Sequence, residues 1–259
     1  MTSPALKTSI VGSGPRKTVF LHGLLGRGKN FTRIAKGLGD VAQTLLVDLP
    51  NHGGSYWTET FDYRAMADIA AETVTEYAAG ERVAVIGHSM GGKIAMLLAL
   101  RHPHLVSKLV VLDIAPGESK GSFEVLMDSM LALPLGDYST RSQADADLAV
   151  NVPETGTRAF LLQNLSLSKT GNSWEPNLAM LRAHLPEIMG WPGAEGSFDE
   201  PVLWVAGGKS PYITEADIEP MRRLFPRMRR VVMKGAGHWV HAEKPDETVY
   251  LLRGFLSAD

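Results

Sequence analysis

The sequence predicts an α/β chain: a mostly parallel central sheet flanked by helices, with a helical cap inserted after the strand that ends near Asp113. Three observations carry this expectation. Short apolar runs alternate with helical patterns along most of the 259 residues. The run Val83-Ala-Val-Ile-Gly-His-Ser-Met-Gly-Gly92 passes from an apolar strand through Gly87-x-Ser89-x-Gly91 into an alanine-rich helix. The rhythm then breaks between Pro116 and Glu200, a stretch rich in Leu and Met.

In chain order, the apolar runs at residues 18–21, 44–47, 83–86, 109–112, 202–206 and 230–233 read as buried strands. Met66, Ile69, Ala70, Thr73, Val74 and Tyr77 recur at spacings of three and four, which gives one helix face covering the sheet; Gly80 marks its end. A helix is expected from Met90 to His102, with Met96, Leu97 and Leu100 on its apolar face and Pro103 limiting it. Phe123-Glu-Val-Leu-Met-Asp-Ser-Met-Leu131 and Arg158-Ala-Phe-Leu-Leu-Gln-Asn-Leu165 are helical patterns divided by Pro134, Pro153, Gly171 and Pro192. Residues 246–256 close the chain as an amphipathic helix, with Val249, Leu252 and Phe255 in register. The expected division is a core of residues 1–115 and 201–259 and a cap of residues 116–200. Ligands of open α/β sheets bind beyond the carboxyl ends of the strands, so a cap leaving one strand and entering the next roofs Ser89.

Composition bounds the function. With 44% hydrophobic and 21% charged residues, the chain suits one large domain with an insertion. A net charge of −2 and a pI near 6.5 provide no electrostatic footprint for nucleic acid or an anionic membrane, so neither partner is expected. Cysteine is absent, which excludes disulfides, thiolate metal ligands and thiol nucleophiles and suits a reducing, cytoplasmic location. Residues 1–13 have no apolar run after a basic segment, and no stretch is long enough to cross a bilayer; no signal peptide or anchor is expected. The oligomeric state stays open.

The turn at Ser89 points to a nucleophile. A serine forced onto a sharp strand-to-helix turn, between glycines that tolerate the crowding, stands its hydroxyl clear of the sheet. The following helix directs its free N–H groups and dipole at the same spot. A hydroxyl needs a base, and His238, in Gly235-Ala-Gly-His-Trp239 after the last expected strand, is the candidate. His241 is a rival base that reads better as a packing or capping residue, and His88 as a supporting one. Two backbone donors should hold the oxyanion: the N–H of Met90, and the N–H of Leu24 within His22-Gly-Leu-Leu-Gly26, directly after a strand. His52 is read as a brace for its loop.

Taken together, these segments resemble the α/β-hydrolase superfamily along nearly the whole chain. His22-Gly23, Asp48-x-x-Asn51-His52-Gly53-x-Ser55, Gly87-His-Ser-Met-Gly-Gly-Lys93 and Gly237-His-Trp-x-x-x-Glu243-x-Pro245 arrive in that family's order. The Asn-His-Gly form of the second motif, Lys93, Phe160-Leu-Leu-Gln-Asn-Leu165 and Gly208-Lys-Ser-Pro-Tyr-Ile213 are similar to the YbfF-type carboxylesterases and related mitochondrial abhydrolases. The resemblance implies serine-dependent hydrolysis of a small-molecule ester or thioester under a small cap, with no cofactor or metal.

The chain departs from many members where the triad acid is expected. Ser210 stands after the strand at 202–206 in place of an aspartate. Asp113, at the end of an earlier apolar strand, is the favoured acid; Glu215 and Asp217 are its rivals, and a turn-capping role is the alternative for Asp113 itself. The reading is then a serine hydrolase for small, largely apolar esters, with acyl transfer to an alcohol as a second enzyme reading. From another class, a ligand-binding receptor with an idle triad has the same motifs. Haloalkane dehalogenation is disfavoured, because it uses a carboxylate at the position of Ser89.

Overall fold

The computed structural model describes residues 5–121 and 123–258. In chain order the first half contains β1 (Thr8–Val11), β2 (Arg16–Leu21), α1 (Thr32–Gly37), β3 (Ala42–Val47), α2 (Tyr63–Ala78), β4 (Val83–His88), α3 (Met90–Arg101) and β5 (Val106–Leu112). An inserted segment follows, with α4 (Glu124–Leu131), α5 (Arg141–Leu148), α6 (Thr155–Leu162), the short strands β6 (Leu165–Ser166) and β7 (Ser173–Trp174), α7 (Leu178–Ala183) and α8 (Leu185–Met189). The chain closes with β8 (Val202–Gly207), α9 (Ile218–Leu224), β9 (Met228–Met233), α10 (Val240–Glu243) and α11 (Pro245–Ser257).

Seven strands form one sheet in the order β1-β3-β2-β4-β5-β8-β9, parallel except for β1, which runs antiparallel to β3. The six expected strands are all present and longer by one to three residues. β1 is the one that the apolar pattern does not reveal, because as a four-residue edge strand it buries little. β2, β3, β4, β5 and β8 alternate between two buried faces. β9, at the other edge of the sheet, buries only Met233 fully and exposes Arg229, Arg230 and Val232, so the run at 230–233 is a strand but not the buried one expected. Val19, Leu21, Val85, Val111 and Trp204 face α2 and α3, whereas Phe20, Ile86, Val110, Leu112 and Val205 face α1 and α11. Each such side chain, taken out of water, contributes roughly 1.5–3 kcal/mol.

The helices follow their sequences. α2 starts at Asp62, whose side chain accepts from the N–H of Ala65, and ends on the left-handed Ala79, one residue before Gly80. α3 is buried all round from Met90 to Ala99, apolar and glycine-rich apart from Lys93, whose ammonium is hydrogen-bonded to carbonyl groups. Its first turn lies against β2: a Cβ on Gly91 would stand 2.3 Å from the Leu21 carbonyl oxygen.

The inserted segment is mixed, not purely helical, because β6 and β7 pair as a small antiparallel ladder. Helix α6 stops at Leu162, where the pattern at 158–165 predicts that it continues. Asn164 turns the chain instead, with its N–H on the Leu161 carbonyl and its own carbonyl accepting from Glu175. Met127, Leu161, Leu181 and Ile188 of this segment join the buried cluster that also holds Leu24 and Met90. The segment therefore packs over the carboxyl ends of the strands.

Candidate active site

Sheet order assembles the site. β2 is flanked by β3 on one side and β4 on the other, so the chain leaving β2 and the chain leaving β4 diverge at their carboxyl ends and open a crevice. Parallel register sets the level of each loop: Leu21 pairs Gly87, His88 pairs Leu112, Leu112 pairs Val205 and Gly207 pairs Met233. The segments containing Leu24, Ser89, Asp113, Ser210 and His238 thus all leave the sheet at one edge.

Backbone strain concentrates here. Among the described residues, the non-glycine positions with positive φ are Leu25, Asn51, Ala79, Ser89 and Asp113; all but Ala79, a helix end, lie in this edge or its bracing loop. Such conformations cost about 1–3 kcal/mol each and persist where the surroundings enforce them. Ser89, at φ 52° and ψ −121°, is enforced by the close packing of Gly87 on Gly91, since a Cβ on Gly87 would stand 2.3 Å from the Gly91 carbonyl oxygen.

The side chains form a continuous relay. His238 Nε2 lies 2.9 Å from Ser89 Oγ, and its Nδ1 lies 2.8 Å from Asp113 Oδ2. Asp113 is fully buried, and its other oxygen accepts from the Gly207 N–H at 2.7 Å. Ser210 Oγ also donates to Asp113 Oδ2. With these donors the carboxylate is satisfied without a cation. Glu215 instead pairs with Arg230 at the surface, and Asp217 accepts from Thr214 as a cap; neither bonds His238. Ser210 stands where the resemblance leads one to expect an aspartate, and its hydroxyl donates to Asp113, which directly follows β5.

The four other buried histidines are structural in geometry. His22 Nε2 accepts from the Leu49 N–H, His52 Nε2 accepts from the Leu25 N–H, and His88 Nε2 lies 2.9 Å from the His238 carbonyl oxygen. His241 packs between the rings of Phe31 and His88. Burial lowers the pKa of all four, to about 4 for His52 and about 3 for His241, so each is neutral at pH 7. Tyr212, which no local motif marks as a site residue, stacks on the His238 ring at 3.9 Å between centroids. Burial, then the charge of Asp113, pushes its phenol up to about 12.

Leu24 and Met90 line a small cavity beside Ser89. Among the described residues, neither backbone N–H has an acceptor. Two cavities of about 10 Å³ reach Ser89, each room for about one water. One is lined by Leu24, Tyr63, Lys93, Phe123 and Met189; the other by Gly23, Phe123, Phe160 and Trp239. An outer groove of about 480 Å³ shares Asn30, Phe160, Trp239 and His241 with the second. Lys93 Nζ donates to the carbonyls of Met189 and Gly190, which ties the end of α8 to the helix that carries Ser89. Burial pulls its ammonium down to about 7.

Residues 19–245 match the family model described as alpha/beta hydrolase fold. The sn-1-specific diacylglycerol lipase ABHD11 of Mus musculus is 38% identical over 247 residues, covering 92% of this chain and 80% of that protein. Esterase YbfF of Escherichia coli (strain K12) is 34% identical over 240 residues, covering 92% of each chain. A solved marine microorganism esterase superposes with a TM-score of 0.93 at 31% identity, over 98% of this chain and 100% of that one.

Proposed function

The chain belongs to the α/β-hydrolase fold family, and from that premise we propose that it is a carboxylesterase-type enzyme cleaving carboxylic esters through an acyl-serine intermediate. The observation that carries the reading is the Ser89–His238–Asp113 relay on a strained elbow. Ser89 Oγ attacks the ester carbonyl as His238 Nε2 takes its proton, and Asp113 holds the imidazole and balances the imidazolium. The N–H groups of Leu24 and Met90 receive the developing oxyanion. His238 then gives the proton to the departing alcohol. Water, deprotonated by the same nitrogen, attacks the acyl-serine and releases the acid. The reaction uses side chains and backbone donors throughout.

Relatives named as an esterase and a diacylglycerol lipase support ester substrates, and the apolar lining of Phe123, Phe160 and Trp239 supports a largely apolar group. The segment of residues 116–200 acts as the cap. With room for about one water beside Ser89, substrate entry needs the cap side chains to move.

The test is hydrolysis of p-nitrophenyl acetate and butyrate, with product analysis in the presence and absence of added alcohol. Ser89→Ala should lower kcat roughly 10⁶-fold, the loss seen when one member of such a unit is removed. Undiminished hydrolysis in that variant overturns the mechanism, and preferential formation of a new ester reassigns the enzyme to acyl transfer.

A further inference from the structure

We propose that Asn164 is a positioning residue for the oxyanion turn, so that docking of the inserted segment helps to assemble the oxyanion hole. The inference rests on the acyl-serine reading above. The turn that presents Leu24 is closed by the Gly26 N–H on the Gly23 carbonyl at 2.9 Å, with Leu25 at φ 59°. A leucine is disfavoured in that left-handed region, so something outside the turn must hold it.

Two grips do so, from opposite sides. The core supplies one: the Leu25 N–H donates to His52 Nε2 at 3.1 Å. The inserted segment supplies the other: Asn164 Nδ2 donates to the Leu25 carbonyl at 2.8 Å. A carbonyl only accepts, so this contact fixes which end of the amide faces the turn. The peptide groups on either side of Leu25 are thereby set, and the Leu24 N–H, one residue earlier, is left without an acceptor among the described residues.

Neighbouring contacts point the same way. Asn30 Nδ2 donates to Gln163 Oε1 at 2.6 Å, Arg27 Nη1 donates to the Gln163 carbonyl at 3.0 Å, and Arg27 pairs with Glu175. Asn164 is fully buried, yet its Oδ1 has no partner among the described residues. A buried amide left half satisfied calls for an explanation, and holding the turn provides one. The same contact explains why Phe160-Leu-Leu-Gln-Asn-Leu165 carries an asparagine where the helical pattern would accept an apolar residue.

The experiment compares wild type with Asn164→Leu, which keeps the branched shape and removes the donor, and with Asn164→Ser. Five quantities are measured: kcat and KM for p-nitrophenyl acetate, inhibition by an aryl trifluoromethyl ketone, the pH dependence of kcat, and the melting temperature. The ketone forms a tetrahedral oxyanion on serine and reads the hole directly. Either variant should lower kcat about 10- to 100-fold, part of the 10²–10³ that loss of a whole oxyanion donor costs, with KM within about threefold. Ketone affinity should fall by the same factor, while the midpoint of the pH profile stays in place. A folded variant with kcat and ketone affinity within about twofold of wild type overturns the proposal, as does a kcat loss that comes with a displaced pH midpoint. Should the leucine variant fail to fold, the serine variant decides on the same readouts. Wild type that hydrolyses the ester and takes a fluorophosphonate on Ser89 upholds the acyl-serine reading whatever the Asn164 variants do.

Discussion

At the scale of single residues, the fully buried Asp113 is bound by His238, the Gly207 N–H and Ser210. Asp113→Asn keeps the shape but presents an amide to His238 Nδ1 and favours the wrong tautomer, so kcat should fall roughly 10³- to 10⁴-fold in steady-state ester hydrolysis. Glu215→Gln and Asp217→Asn, which alter a surface ion pair and a cap, should leave kcat within about twofold. An active Asp113→Asn alongside a dead Asp217→Asn would move the acid to the chain after β8. The positions of Ser89 and His238 were legible because each sits in a glycine-flanked turn beside an apolar strand, a local pattern. Tyr212 and Asn164 were not legible in the same way. Their partners lie 26 and 139 residues away, and nothing in a short window encodes such a contact.

At the scale of elements, the sequence reveals what periodicity encodes. Strands buried on both faces read as continuous apolar runs, and α2 reads by its spacing of three and four. β1, β6 and β7 escape because strands of two to four residues, partly exposed, carry too little pattern to separate from a turn. The helix end at Leu162 escapes for another reason: tertiary hydrogen bonds to Asn164 override an apolar continuation. α6 also carries Phe160, which stands between the inner cavity and the outer groove and packs near Trp239. Phe160→Ala should widen this throat. The ratio of kcat/KM for p-nitrophenyl octanoate to that for the acetate should rise about tenfold, within the range that methylene-sized fit contributes in apolar pockets. An unchanged ratio in a folded variant would remove the cap from substrate selection.

At the scale of the whole molecule, the core is built around histidines that must remain neutral. His22, His52, His88 and His241 are buried, and burial holds their folded pKa values below the ordinary 6.5. Between pH 6.5 and about 4, the unfolded chain binds these protons and the folded one does not, so the stability present above pH 6.5 is lost as pH falls. Each contributes up to about 1.4 kcal/mol per pH unit, and several together approach the roughly 5–15 kcal/mol that holds a domain folded. Urea midpoints should therefore fall steeply from pH 6.5 to 5, and a flat profile over that range would contradict this account of the core. The central claim, that this edge of the sheet makes Ser89 an acyl-accepting nucleophile, is most directly tested by intact and peptide mass spectrometry after brief treatment with a fluorophosphonate. The account predicts one adduct per chain, on the peptide containing Ser89, with labelling strongly slowed in Asp113→Asn and absent in Ser89→Ala. Stoichiometric labelling elsewhere, or none on a folded wild-type chain that still hydrolyses esters, would contradict it.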